Sequence, residues 1–256
     1  MTTIAVAETP LSLGLLRLAD TALVHAHRLS EWCGHAPMLE EDLALANIAL
    51  DLLGQARALY AYAAEVEDAG RTEDDLAYLR DAPQYRNLLM AELPKGDFAF
   101  TILRLLLLAA RDQPFWKAAS GSRDATLAAI AAKAEKEAAY HLRHAGEWVI
   151  RLGDGTVESG RRMREALAAL WPYTGELFEA DVADRALIEA GVLPDPADLR
   201  PRWEAAVNRV FAEAGLARPA ECWMHSGGRS GRHTEHLGHL LAVMQHLQRA
   251  YPGATW

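Results

Sequence analysis

The chain has 256 residues, of which 51% are hydrophobic and 24% are charged, and its formal net charge is −9. This composition is typical of a globular protein with a buried core and excludes a disordered tail. The acidic charge gives no electrostatic basis for binding nucleic acid or an anionic membrane surface. Apolar runs such as Leu105–Ala110 are far shorter than the roughly 20 residues that span a bilayer. Residues 1–14 show no secretory signal, so we expect a cytoplasmic protein without a membrane segment.

The pattern of apolar residues is helical from end to end, and no strand is predicted. Proline and glycine divide the chain into roughly eight segments. Four long helices are predicted at Leu13–Trp32, Glu40–Ala69, Asp97–Ala119 and Arg123–Leu152. Each is about 30 to 45 Å long at about 1.5 Å per residue, which is typical of an antiparallel helix bundle. Shorter helices follow Gly155 and end with one at Arg232–Ala250. We expect them to pack on the bundle within a single domain, residues 1–256.

The second and third long helices carry few polar residues, and these are the candidates for a buried site. The second is apolar over most of its circumference, so we expect it to be buried on more than one side. Its polar residues Asn47, Asp51 and Gln55 recur every four positions. The third carries one charge, Arg104, between Phe98 and Ala110. A buried unpaired charge is costly, so Arg104 is expected to reach solvent or to meet a carboxylate.

A metal centre is tested by the spacing of acids and histidines. Two-iron helix bundles use Glu-x-x-His pairs, because residues three apart project from one face of a helix. None of the ten histidines has an acid three residues before it. Glutamate stands four residues before His35, His141, His225 and His239, a spacing that more often forms surface hydrogen bonds. We therefore predict that the chain binds no metal. Glu137 and Tyr140 are expected to hydrogen-bond to neighbouring helices, and His141 and His144 to lie near a rim of the bundle.

Two further stretches have features of anion sites. "GGRSGRH" (227–233) precedes the last helix, and free N–H groups at a helix start favour negative charge. In "APQYRNLL" (82–89), a proline suited to a first helical turn is followed by a ring and a guanidinium, which would suit a nucleotide or a phosphopantetheine group. For the second stretch, ordinary helix capping is the favoured alternative. The scattered histidines after residue 232 favour a solvated or partner-facing helix.

Several long strings together resemble one family. They are "RLSEWCGHAP", "DLALANIALDLLGQAR", "KEAAYHLRHAGEWVIRLGDGT", "LWPYTGELF" and "GRHTEHLGHLLAVMQ", and they cover nearly the whole chain. The chain resembles the PaaC-type subunits of the multicomponent 1,2-phenylacetyl-CoA epoxidase. The resemblance implies a ferritin-like fold and a non-catalytic scaffold role. It also implies a related di-iron catalytic subunit as partner, with a small bridging subunit and a flavin/iron–sulfur reductase, and no cofactor bound by this subunit itself.

The residues agree with a site that has lost its metal. On the bundle template, Leu52 and Gln55 take one Glu-x-x-His position, and Glu137 and Tyr140 take the other. We predict a buried network in their place, in which Arg104 neutralises Asp51 and Glu137, with Gln55 and Tyr140 alongside. The alternative functions are an autonomous di-metal oxidase and a metal-storage protein.

We expect the CoA part of the substrate to be shared between subunits. The predicted contacts from this chain are Gln84, Tyr85, Arg86 and Asn87, together with Asp184, Arg185 and Ala186.

Overall fold

The computed structural model describes residues 3–254, in which eleven α-helices and no strand are found. In chain order the helices are α1 (Pro10–Ser30), α2 (Leu39–Glu67), α3 (Glu73–Tyr78), α4 (Leu89–Glu92), α5 (Phe98–Ala119), α6 (Ala125–Gly153), α7 (Val157–Leu170), α8 (Val182–Glu189), α9 (Pro196–Glu213), α10 (Glu235–Met244) and α11 (His246–Ala250). Short 3₁₀ turns lie at Ala82–Gln84, Trp171–Tyr173, Gly175–Phe178 and Gly228–Ser230.

The predicted all-α class and the four long helices are confirmed, with ends that differ by at most three residues. The predicted final helix is divided in two at Gln245. The side chain of Gln245 is buried there and donates to the carbonyl oxygens of Ala77 and Arg80. The predicted domain span includes residues 1, 2, 255 and 256, which lie outside the described part, so that span stays a prediction.

Local sequence accounts for where the long helices begin. The side chains of Thr9, Asp97 and Asp124 accept a hydrogen bond from the backbone N–H three residues later, at the starts of α1, α5 and α6. Such capping satisfies a donor that has no partner within the helix. Pro10 stands in the first turn of α1, where its missing N–H costs nothing.

The four long helices form the centre of the molecule. Helix α1 packs along α2, α5 packs along α6, and α2 meets α6. Side-chain contacts between α2 and α6 run in opposite directions along the two helices, from Glu41–His144 at one end to Tyr62–Asp124 at the other, so these helices are antiparallel. Helix α9 lies against α5, where Trp203 Nε1 donates to the carbonyl oxygen of Leu107.

A buried ion pair attaches the segment after α3 to the bundle. Asp20 on α1 and Arg80 are both 0% exposed, and Arg80 Nη1 donates to Asp20 Oδ2 at 3.0 Å. The backbone N–H of Arg86 donates to the same oxygen at 2.7 Å, and the Tyr60 hydroxyl donates to Oδ1. Asp20 therefore fixes the course of residues 80–86 across the bundle. None of the described helices is both long and apolar enough to cross a membrane.

Candidate functional site

The seam between α2 and α6 occupies the place of the metal ligands in the bundle template. Gln55 Nε2 donates to Glu137 Oε2 at 2.9 Å, so the two template positions meet directly. One turn away, His141 Nε2 lies 3.0 Å from Asp51 Oδ2. Lys133 Nζ lies 3.4 Å from the other oxygen of Glu137. The polar side chains at the template positions and one turn beyond them thus contact one another.

This donor set does not fit a two-iron centre. Among the residues that the structure describes, no group of three or more His, Cys, Asp or Glu side chains is placed to hold a metal ion. Leu52 is buried and has no ligand atom, and Gln55 offers an amide that is already bonded to Glu137. Tyr140 is 41% exposed and stacks its ring on His144 instead of facing the seam.

The predicted charge network through Arg104 is wrong. Arg104 is 0% exposed, but its Nη1 donates to the carbonyl oxygens of Leu93 and Pro94, at 2.6 and 3.2 Å, and not to Asp51 or Glu137. These carbonyls follow the end of α4, where backbone acceptors lack helical partners. Burial lowers the pKa of Arg104 to about 9. Within the seam, Asp51 is instead contacted by the His141 ring, and Glu137 by the ammonium group of Lys133.

Buried histidines occupy two different electrostatic settings. His141 is 3% exposed, so the prediction that it lies at the rim is wrong; burial lowers its pKa, and Asp51 opposes that effect. His25 on α1 is also buried, and desolvation, with Arg104 and His141 nearby, lowers its pKa well below the usual value. Both side chains therefore favour the neutral form in the fold.

His233 has the opposite setting. Its Nδ1 lies 2.7 Å from the buried Glu92 carboxylate, and its Nε2 lies 3.0 Å from the Tyr85 carbonyl oxygen. Since both ring nitrogens face acceptors, the imidazolium with two N–H groups fits the site. Desolvation acts against that charge, but the interactions with Glu92 outweigh it and raise the pKa of His233. The expectation of a solvated tail is therefore wrong for this residue, which fastens the C-terminal segment to α4.

The loop 226–232 does hold an anion, but the anion is the protein's own carboxylate. Glu176 is 1% exposed and accepts three backbone hydrogen bonds, from Leu89 at 2.7 Å, Gly227 at 3.0 Å and Gly228 at 2.8 Å. Burial raises the pKa of Glu176, and the three donors oppose this effect. A Cβ on Gly228 would stand 2.3 Å from the carbonyl oxygen of Asn87, so only glycine allows this close approach. Sequence analysis missed Glu176, which no local motif marks.

A cleft of about 450 Å³ opens beside this loop, between the loop and the start of α8. Asp184 is buried on its wall and accepts from Arg229 Nη2 at 2.7 and 2.8 Å, while Arg17 Nη1 lies 3.0 Å away. Asp181 caps α8 and also accepts from Arg17. Arg232 lies on the rim and is exposed. The cleft is thus lined by three guanidinium groups, two of which are held in place by carboxylates.

The residues predicted to contact CoA differ in their availability. Tyr85 and Asn87 are 0% exposed: the Tyr85 hydroxyl donates to the Ala77 carbonyl, and the Asn87 amide donates to Glu92. Gln84 and Arg86 are partly exposed. The Gln84 amide donates to the carbonyl oxygen of Ile4, and the Arg86 guanidinium contacts Glu8 and the Pro83 carbonyl oxygen.

Residues Ala82–Gln84, which were predicted to begin a helix, form a 3₁₀ turn. The N–H groups of Gln84, Tyr85 and Arg86 already have acceptors, so the proposed supply of free backbone donors is absent from these three residues. Arg185 and Ala186 are exposed on α8, next to the buried Asp184. Loop 226–232 lies between the two predicted stretches, because Gly231 approaches Pro83 and Arg86 while Arg229 bonds Asp184.

Comparison with known sequences identifies the family of the chain. The sequence model of the family described as "Phenylacetic acid catabolic protein" matches residues 2–256. The chain belongs to this family. A curated member from Escherichia coli (strain K12), named as one of the subunits of 1,2-phenylacetyl-CoA epoxidase, is 53% identical over 241 residues, which are 94% of this chain and 97% of that protein. The resemblance inferred from sequence is confirmed at this level.

Proposed function

We propose that this member of the phenylacetic acid catabolic family is the structural subunit of a cytoplasmic 1,2-phenylacetyl-CoA epoxidase. In this role it supports a related di-iron catalytic subunit, which epoxidises the aromatic ring of the thioester. A small bridging subunit and a flavin/iron–sulfur reductase complete the proposed assembly. The observation that carries the proposal is the Gln55–Glu137 hydrogen bond, which joins the two positions that a metal-binding bundle would give to ligands.

The first test is metal content together with dependence on the partner. The chain purified alone from iron-supplemented cells should contain far less than one iron per polypeptide. The catalytic subunit, assayed with its reductase, should lose most of its epoxidase activity when this chain is omitted. Two tightly bound irons in this chain, or full activity of the catalytic subunit without it, would contradict the proposal.

We also propose that the CoA part of the substrate lies against this chain, between Gln84–Asn87 and Asp184–Ala186. The support is the cleft and its exposed rim guanidinium, Arg232, since phosphate groups are well matched by arginine. The buried side chains of Tyr85 and Asn87 would act by shaping the segment and not by direct contact. Arg86→Ala in the reconstituted complex should raise the apparent KM for the thioester and leave kcat nearly unchanged. Arg209→Ala, which alters an exposed arginine on α9, is the matched control. An unchanged KM for Arg86→Ala would count against this contact.

A further inference from the structure

The outward face of α2 exposes leucines that the described residues 3–254 leave uncovered. Leu39, Leu43 and Leu50 are 71%, 57% and 63% exposed, and their spacing of four and seven residues keeps them on one side of the helix. A helix that is apolar all round is normally buried all round. Here α1 and α6 cover two sides, as the sequence predicts, and the third side remains open. A contiguous apolar face of this kind marks an interaction surface.

Helix α6 extends this face. Tyr140 is 41% exposed on the same side of the seam, and its ring lies beneath the guanidinium of Arg143 at 5.5 Å. Small residues, Gly54 and Ala139, lie between the large ones and are exposed. The surface at Gly54 is open: a Cβ atom added there would have Lys133 Nζ, at 3.8 Å, as its nearest neighbour. Large side chains alternating with small ones suit the ridges-into-grooves packing of another helix. We call Leu39, Leu43, Leu50 and Tyr140, with the small residues between them, the α2/α6 face.

The face is large enough for a stable interface. Both helices have 29 residues, which corresponds to about 43 Å each. Two helices side by side are about 20 Å wide. Their outward surface is therefore roughly 850 Å², close to the ~800 Å² that each partner contributes to a standard protein–protein interface.

The charge of the face indicates the chemistry of its partner. Helix α6 exposes four positive side chains and one acid, and α2 exposes one positive side chain and two acids. These are Lys133, Lys136, Arg143, Arg151 and Glu147 on α6, and Arg57, Glu40 and Glu65 on α2. The two helices together therefore expose five positive and three negative side chains. Lys136 and Arg143 form no ion pair with any residue in the described range 3–254, although the chain as a whole has a net charge of −9. A second copy of this chain would present the same excess of positive charge. An acidic, apolar helical surface is the better complement.

We propose that the α2/α6 face is the docking surface for the related helical catalytic subunit, whose matching surface combines an apolar stripe with acidic side chains. The inference rests on the proposed function and goes beyond it by assigning the contact to one face. It also explains why α2 is apolar on a side that the isolated chain leaves exposed. The seam that replaces the metal site then lies directly behind the interface.

The test is the double variant Leu43→Glu/Leu50→Glu, co-expressed with the catalytic subunit from the same organism. Both side chains are more than half exposed, so the circular dichroism spectrum and Tm of the variant should match the wild type. Its affinity for the catalytic subunit should fall at least tenfold. The control Val243→Glu places a single glutamate on α10, at a site that is 81% exposed, and should bind like the wild type.

A second variant, Lys136→Glu/Arg143→Glu, tests the charge. It should weaken the same complex and reverse the salt dependence of its association rate, because an acidic partner would now be repelled. An unchanged association rate would exclude an acidic partner surface.

The outcomes separate this inference from the proposed function. If the wild-type chain does not bind the catalytic subunit at all, the proposed function fails, and the inference fails with it. If the wild type and Leu43→Glu/Leu50→Glu bind it equally well, only the docking surface is wrong. Loss of self-association with unchanged binding to the catalytic subunit would show that the face joins two copies of this chain, and would also overturn the inference.

Discussion

Glu176→Gln should markedly destabilise the protein, because one buried carboxylate holds three backbone donors in place. Oε1 accepts from Gly227 and Gly228, and Oε2 accepts from Leu89. Glutamine has one carbonyl oxygen, so its amide nitrogen must face at least one of these N–H groups. A stranded buried donor costs about 1–3 kcal/mol, and each remaining bond loses its charge assistance, about 1 kcal/mol. We therefore expect a loss of about 3–5 kcal/mol in the free energy of unfolding, or roughly 6–20 °C in Tm.

The assay is urea unfolding followed by circular dichroism at pH 8, chosen on the alkaline side because burial raises the pKa of this carboxyl. Glu179→Gln is the matched control, since Glu179 is exposed and its carboxylate accepts from Ser226 Oγ. Its expected loss is below about 0.5 kcal/mol. If Glu176→Gln loses no more than this control, the three hydrogen bonds do not anchor the loop and the reasoning is refuted.

Three further predictions concern buried histidine and arginine side chains. The pKa of His233 is raised in the fold. The stability that the protonated His233 ring contributes is therefore complete below the ordinary histidine pKa of ~6.5, and it is lost as the pH rises through the pKa of the folded state. The variant His233→Asn should remove this alkaline decline of the urea midpoint. The pKa of His25 is lowered in the fold, so on acidification the His25 ring of the unfolded chain is protonated first. The free energy of unfolding therefore falls as the pH drops below ~6.5. The variant His25→Phe should flatten this acid slope, and an unchanged slope would contradict a neutral, buried His25. Arg80→Met should lower the free energy of unfolding by about 3–5 kcal/mol, because it leaves the buried Asp20 carboxylate unpaired. Arg104→Met should lower it by less than half as much, because the hydrogen-bond partners of Arg104 are backbone carbonyls. Equal losses in urea unfolding would show that the difference in partners is unimportant.

Local pattern predicted the helices well because their causes are local. Capping residues such as Thr9 and Asp97, apolar periodicity, and the glycine and proline breaks all act within a few residues. The same locality explains the correct prediction that α2 contacts neighbours on more than one side. It does not reveal which side stays open, since that depends on where other helices pack.

The charged residues were harder to predict, because their partners are distant in sequence. Arg104 was expected to meet Asp51 and Glu137, because it is the one charge in an apolar run and the two acids were treated as lone carboxylates. That reasoning overlooked Lys133, which lies one turn before Glu137 on the same helix. In the fold, Asp51 pairs with His141, while Arg104 bonds backbone carbonyls near the end of α4. Sequence can show that a buried charge needs a partner, but a backbone carbonyl leaves no mark in the residue pattern.

The helical class, the four long helices and the lack of Glu-x-x-His donor pairs all follow from the order of the residues. Each of these depends on residues within one or two turns of a helix. The packed fold was needed to establish that Glu176 holds a loop, that His233 fastens the C-terminal segment and that the outer side of α2 is uncovered within residues 3–254. The contacts Glu176–Leu89 and His233–Glu92 join residues 87 and 141 positions apart. Such pairings arise from how the helices pack, and no local spacing encodes them.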